Sequence, residues 1–244
     1  YFKNDIFFSD ESEKILDSAG GLKNASQMMD LSKDILMMNA DEILFAEDSL
    51  FLEKAYDQHK KNKALATLVV TEHPEAGKKF GAILCDKNKV VSIEKRPTNL
   101  TLKPWHYVGY IFLKPTLLDL IPENTPLNIF YDVLIHLLKN NSVEIYPIKT
   151  EWFETGNIAD LLSATEHKLK NLDSETLNFI NQYDPSEIIK NQLTTSLISK
   201  SVKIDPSQLL GFNCVAKSTK MQNTNRIENS ILFDLEVLNL SYFS

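Results

Sequence analysis

The stretch Asp34-Ile35-Leu36-Met37-Met38-Asn39-Ala40-Asp41 decides how this chain is read. Four apolar residues run without a break and then give way to polar ones. A strand buried on both faces reads in this way, and in an open α/β sheet the carboxyl end of such a strand opens into the crevice where ligands bind. Asp41 stands at that end. Its carboxylate can hold a magnesium ion, which takes one or two protein carboxylates and fills its shell with substrate phosphate oxygens. It can equally cap the following turn, aided by Asn39.

Working outward, Phe51 to Lys61 has helical periodicity, and Ala66-Thr67-Leu68-Val69-Val70-Thr71 is the β-branched run of a buried strand. Strand alternating with helix implies an α/β sheet with some parallel pairing. Gly81 to Asp86 and Val90 to Glu94 form a hairpin about Lys87-Asn88-Lys89. Trp105 to Leu113 and Val143 to Ile148 read as strands, Asn128 to Leu138 as an amphipathic helix, and Ala159 to Leu169 as a helix that closes the domain. Upstream, Ile6-Phe7-Phe8 reads as a short strand and Ser9 to Glu13 as a capped turn into Lys14-Ile15-Leu16. There Ala19-Gly20-Gly21-Leu22 breaks the pattern before a helix over Lys23 to Met29.

Beyond Asn171 the pattern changes. Residues up to Thr195 suit a polar connector with a helix around Glu175 to Tyr183. Ile198, Ile204, Leu210 and Ala216 then recur every six residues, the period of the hexapeptide turns of a parallel β-helix. Ile227 to Asp234 continues the tendency in looser phase. The expected organisation is 1–169, a connector over 170–195, and a β-helix segment over 196–244.

A formal net charge of −7 over 244 residues argues against nucleic acid or an anionic membrane as the main partner. No run approaches the roughly 20 apolar residues of a membrane span, and the start is no signal peptide, so a cytoplasmic setting is expected. Cys85 and Cys214 are too few for a disulfide scaffold and lack the spacing of a zinc site. Glycine is scarce, 7 residues in all, and arginine is confined to Arg96 and Arg226. Grips for nucleotide phosphates are usually built from glycine loops and fixed cations, so this chain is poor in the parts for one. Tyr1 in place of Met leads us to expect a natural N-terminus further upstream.

Three further segments could carry chemistry. Glu94-Lys95-Arg96-Pro97 ends an apolar strand at a proline, so its charges project from a fixed point. A carboxylate there can bind sugar hydroxyls and a lysine can meet a phosphate; a solvated turn has the same composition. Glu151-Trp152-Phe153-Glu154-Thr155-Gly156-Asn157 sets an acid after two aromatic residues. A buried charge needs a partner, which a metal would supply, whereas Glu154 facing water beside a core-anchoring Trp152 needs none. Gly20-Gly21 is a turn, or a place where backbone can approach a flat base. The histidines His59, His73, His106, His136 and His167 are scattered and near no nucleophile motif, so a hydrolase triad is unsupported. Met28, Met29, Met37 and Met38 read as core packing.

In order, these segments resemble the nucleotidyltransferase domain of the sugar-1-phosphate nucleotidylyltransferases, the NDP-sugar pyrophosphorylases. The resemblance rests on Leu16-Asp17-Ser18-Ala19-Gly20-Gly21-Leu22, Met38-Asn39-Ala40-Asp41, Ala66 to Thr71, Ile93-Glu94-Lys95-Arg96-Pro97, Val108-Gly109-Tyr110-Ile111-Phe112 and Trp152 to Asn157. Trp105-His106 before the Gly109 strand, with the hexapeptide tail, is most similar to the mannose-1-phosphate guanylyltransferase-like group. The resemblance implies an α/β fold, a Rossmann-like mixed sheet with flanking helices of the nucleotide-diphospho-sugar transferase type. A short left-handed parallel β-helix would follow it, through which the chain would form a homo-oligomer.

It also implies the reaction: a sugar 1-phosphate oxygen attacks the α-phosphorus of a nucleoside triphosphate and pyrophosphate leaves. Asp41 and Glu154 would hold Mg²⁺, Glu94 would accept from sugar hydroxyls, and Lys95 would meet the sugar phosphate. Backbone at Gly109 would line the sugar pocket, with Gly20 and Gly21 near the nucleobase. Ala40 and Glu154 stand where the family has Gly and Asp. Its N-terminal glycine-rich loop with an arginine, and a later Pro-Lys pair, are not found. The leading expectation is therefore part of an active enzyme, turning over little alone. The alternatives are an inactive sugar-nucleotide-binding regulator, and a metal-dependent glycosyltransferase in which Asn39-Ala40-Asp41 is a degenerate Asp-x-Asp.

Overall fold

The β-branched run Ala66–Thr71 becomes a strand whose six residues are all buried, and a sheet assembles on both sides of it. The structure, a computed structural model, describes residues 6–97, 102–217, 219–221, 226–232 and 236–237. It divides into two compact units, Tyr1–Trp152 and Phe153–Ser244.

In the first unit the chain runs α1 (Asp17–Ala25), β1 (Ile35–Met38), β2 (Glu42–Ala46), α2 (Phe51–Asn62) and β3 (Ala66–Thr71). The hairpin β4 (Ala82–Asp86) and β5 (Lys89–Glu94) follows, then β6 (Pro104–Leu113). A helical segment opens with a π turn, Ile129–Leu134, passes through α3 (Ile135–Leu137) and tightens over Leu138–Asn140. Strand β7 (Val143–Pro147) follows, and β8 (Thr150–Glu154) begins in this unit and runs two residues past its end. Six strands form one mixed sheet in the order β1-β6-β3-β7-β5-β4, with β3 and β7 parallel and the other neighbours antiparallel. Strands β2 and β8 pair separately as a two-stranded ribbon.

Both faces of the sheet are covered, as a strand as uniformly apolar as β3 requires. On one face Leu68, Ile111 and Ile145 pack with Ala19 and Leu22 of α1 and with Ile129, Val133 and Leu134 of the π turn. On the other, Val69, Val108 and Phe112 pack with Ala55 of α2.

Several expectations need correction. Strand β1 is not buried on both faces: it is the edge of the sheet, and Leu36 and Met38 are 38% and 52% exposed while Ile35 faces the core. Its four apolar residues are continuous in sequence but alternate in burial, because Ile35 and Met37 face the core while Leu36 and Met38 point to the opposite, exposed face. Met28 and Met29, expected in the core, are likewise exposed. Ile6-Phe7-Phe8 forms no strand and is exposed, and no strand among the described residues pairs with its backbone. Gly20 and Gly21 do not break a helix but lie inside α1, and the expected helix over Lys23 to Met29 is the end of α1 followed by a 3₁₀ turn. The ribbon strand β2 lacks the alternation that would have announced it; all five residues are half-buried.

The second unit contains α4 (Ile158–Lys170), α5 (Ser174–Asn181), β9 (Ser186–Lys190), β10 (Thr194–Ser199), β11 (Leu209–Val215), β12 (Lys220–Met221), β13 (Ile227–Leu232) and β14 (Glu236–Val237). Asn157 caps α4 and Asp173 caps α5, each side-chain oxygen accepting from a first-turn N–H. Strands β10, β11 and β13 stack in parallel, as do β12 and β14, while β9 closes one edge antiparallel to β10. Paired residues lie 17 apart between β10 and β11, and from Asn213 to Val215 between β11 and β13; there the buried Asn213 amide donates to Ser196 Oγ and accepts from the backbone N–H of Ser230.

The core of this unit is Ile198, Leu209, Val215 and Ile227, with Ile204 packed against it. Leu210 and Ala216 are therefore not the inward positions expected. The 3₁₀ turn Pro206–Gln208 shifts the six-residue phase by one, so that it runs through Leu209 and Val215. Phe233 and Asp234, included in the expected continuation, lie outside the described residues.

Candidate functional site

Strand β1 ends in the turn Asn39-Ala40-Asp41, and that turn is fastened to β6. The backbone N–H of Asn39 donates to the Gly109 carbonyl at 2.9 Å. Gly109 sits where the register between β3 and β6 slips between Leu68 and Val70, and its φ is +88°. A side chain there would meet Glu42 Cγ at 2.8 Å and Asn39 Cβ at 3.3 Å, so the absence of one lets the turn close on the strand.

Glu42, the first residue of β2, is tied on both oxygens: Oε1 accepts from Asn39 Nδ2 at 2.9 Å and Oε2 from the indole N–H of Trp152. Asp41, between them in sequence, is exposed. Tyr107 lies near the Glu42 carboxylate, and its hydroxyl is held well above the usual phenol range, first by burial and then by that charge. The structure therefore brings together the Asp41 turn, Gly109 and Trp152, three segments that are far apart in sequence.

Trp152 is held in turn by an aromatic box. Its ring meets His106 at 4.2 Å between centroids, Phe80 at 5.2 Å and His73 at 5.6 Å. His106 is buried with Nε2 unpartnered, and burial, then the neighbouring His73, pushes it down to about 4. His73 is also lowered, chiefly by burial, and its Nδ1 accepts from the Glu75 N–H. Both rings are therefore neutral near pH 7 and serve as packing surfaces.

The second expected grouping, Glu94 and Lys95, lies at the end of β5. Ser92 Oγ donates to Glu94 Oε1 at 2.7 Å, and Lys95 Nζ lies 4.5 Å from the centroid of the Tyr131 ring. Tyr131 and Phe130 belong to the π turn, a helical irregularity frequent at functional sites, which Asn128 caps by accepting from both of their N–H groups. Phe130 packs edge-on to Tyr107 at 4.8 Å, so a line of rings runs from beside Glu42 to beneath Lys95.

Gly20, inside α1, turns its bare Cα toward the Thr125 carbonyl, which an added Cβ would meet at 2.4 Å. Gly21 faces the Glu11 side chain. Glu154 ends β8 and is half-buried. A separate open cleft of about 850 Å³ lies at the other end of β2, lined by Phe45, Thr71, Trp105, Ile148 and Glu151. Among the described residues no three His, Cys, Asp or Glu side chains gather as a metal cluster, and no helix is long and apolar enough to cross a membrane. Sequence reasoning missed Glu42, Tyr107 and the ring pair Phe130-Tyr131. The signals were the second acid after Asp41 and two adjacent aromatics just after the capping Asn128.

Residues 3–171 match the family model described as nucleotidyl transferase. No curated protein sequence matches. Among solved structures, UDP-glucose pyrophosphorylase from Acinetobacter baumannii superposes with a TM-score of 0.57 at 15% identity, over 69% of this chain and 62% of that one. The UTP-bound enzyme from the same organism gives 0.54 at 19% identity over 67% and 60%. A UDP-glucose pyrophosphorylase complexed with UDP-glucose gives 0.54 at 13% over 65% and 64%. This chain thus spans about six-tenths of the length of those structures, and identities this low speak to the fold alone.

Proposed function

The chain belongs to the nucleotidyl transferase family, and from that we propose that it takes part in joining a nucleoside triphosphate to a sugar 1-phosphate, giving a nucleotide sugar and pyrophosphate. The observation that carries the reading is the turn Asn39-Ala40-Asp41, fastened to Gly109 and Glu42 so that a carboxylate stands at the carboxyl end of β1. Open α/β sheets place their ligands at such ends.

In this reading Asp41 would hold Mg²⁺. The donor set fits a hard cation: exposed Asp41 offers carboxylate oxygen, and a magnesium site needs no cluster of three protein ligands when phosphate oxygens complete it. The ion would neutralise charge on the α-phosphate. The rest falls to the protein. Glu94, steadied by Ser92, would accept from sugar hydroxyls; Lys95, resting on Tyr131, would meet the sugar phosphate; backbone at Gly109 would border the sugar. Gly20 and Gly21 would lie toward the base. No general base is needed, because a phosphate monoester is already an anionic nucleophile.

The division into 1–169, 170–195 and 196–244 would then separate the transferase domain from its appendage. The parallel stack of β10, β11 and β13 would be the short left-handed β-helix that the resemblance implies, a surface for self-association.

The test is pyrophosphate release from the full chain with Mg²⁺. UTP with glucose 1-phosphate and GTP with mannose 1-phosphate come first, against Asp41→Ala. Release that the substitution abolishes supports the reading. A second reading, binding without turnover, is favoured by the two arginines and 7 glycines of the chain, too few to grip a triphosphate by themselves. It predicts nucleotide-sugar affinity in calorimetry with no release. Neither release nor binding would overturn both.

A further inference from the structure

The box of His73, Phe80, His106 and Trp152 has no role in the reading above, although its largest ring bonds to the residue next to Asp41. We propose that Trp152 is a positioning residue: through its indole N–H on Glu42 it sets the turn that presents Asp41. The inference rests on the proposed function and deepens it.

The chain of contacts is short and has no slack. Trp152 cannot swing, because three rings surround it, the nearest at 4.2 Å. Its N–H fixes Glu42 Oε2, and Glu42 Oε1 fixes the Asn39 side chain at 2.9 Å. Asn39 is then held through its backbone as well, on the Gly109 carbonyl. Asp41 lies between the two tethered residues. An exposed carboxylate on an untethered turn would sample many orientations, and a metal or phosphate site needs one. Outer partners of this kind commonly govern ligand affinity without touching the ligand, and their loss costs about 10- to 100-fold.

The geometry also explains an acid in a half-buried place. Glu42 offers a charged acceptor to both the indole N–H and the Asn39 amide, whereas Gln would leave the indole a neutral acceptor and meet Asn39 only if that amide turned over. The box joins the segment after β3, which carries His73 and Phe80, to β6, which carries His106, so the clamp is anchored in the main sheet.

The two tryptophans, Trp105 and Trp152, make the proposal readable by NMR. The full ¹⁵N-labelled chain shows two indole N–H signals, which Trp152→Phe assigns. Glu42→Gln should move the Trp152 signal and leave that of Trp105 in place. Mn²⁺ added with UDP-glucose should broaden Trp152 more than Trp105. In calorimetry with the same probes, Trp152→Phe and Glu42→Gln should each weaken binding about 10-fold or more, with thermal midpoints near wild type, while Asp41→Asn abolishes it. If Glu42→Gln leaves the Trp152 signal unmoved, or both variants bind within twofold of wild type while Asp41→Asn does not bind, the positioning role is overturned. If the wild type binds neither probe, the functional reading itself fails and the inference falls with it. That result differs from the preceding one because Asp41→Asn then changes nothing.

Discussion

The backbone N–H of Asn39 and the carbonyl of Gly109 are bonded at 2.9 Å across a register slip in β6, with Glu42 packed on the bare Cα of Gly109. A residue with a side chain would have to adopt φ near +88° and push Glu42 aside. Gly109→Ala should therefore destabilise the chain by about 1–3 kcal/mol, measured by urea denaturation, and should displace the Trp152 indole signal because Glu42 moves.

The two adjacent glycines of α1 should respond unequally to alanine. In a helix Ala is favoured over Gly by about 1 kcal/mol. At Gly21 the new methyl meets the end of the Glu11 side chain, which can shift at the expense of its bond from the Leu16 N–H, so the helix gain and that loss roughly offset and Gly21→Ala should be near neutral. At Gly20 it meets the Thr125 carbonyl oxygen at 2.4 Å, a backbone atom that cannot yield cheaply. Gly20→Ala should lower stability by about 1–3 kcal/mol, and equal denaturation midpoints for the two variants would contradict this assignment.

Stability should fall on mild acidification. Burial pushes His59 and His106 down to about 4, His59 beside Lys114 and His106 beside His73. Unfolded histidines titrate near 6.5, so between about 6.5 and about 4 the unfolded chain binds more protons than the folded one. The stability contributed by keeping these rings neutral is complete above the upper value and is lost as pH falls toward the lower. Urea midpoints measured across that window should decline, and His106→Leu should flatten the decline.

In the second unit Asn213 is fully buried and serves three groups: it donates to Ser196 Oγ and the Leu210 carbonyl and accepts from the Ser230 N–H. Asn213→Ala leaves them without that partner and should cost about 2–4 kcal/mol. Hydrogen exchange should show the loss first at the amide of Ser230.

Composition and periodicity were enough to determine which residues become regular structure in most of this chain. β3, the β4–β5 hairpin, β6, β7, α2 and α4 lie where their apolar patterns put them, because a buried strand and an amphipathic helix leave different periods in the sequence. The order of short segments was enough to indicate the family, and the polar turn Asn39-Ala40-Asp41 was legible as a strand end.

Neighbourhood, in contrast, was decided only in three dimensions. Whether β1 is central or an edge depends on how many strands lie beside it, which its own four residues do not encode. The glycines of α1 look like a break until Thr125 is found against them. The six-residue phase slips at one 3₁₀ turn. Most of all, Glu42 and Trp152 are 110 residues apart, and nothing local to either marks it as the other's partner. A periodic pattern reports burial, a local property averaged over a segment; a hydrogen bond between distant side chains depends on the path of everything between them. That is why the elements could be read from the sequence while the clamp behind Asp41 had to be seen in the fold.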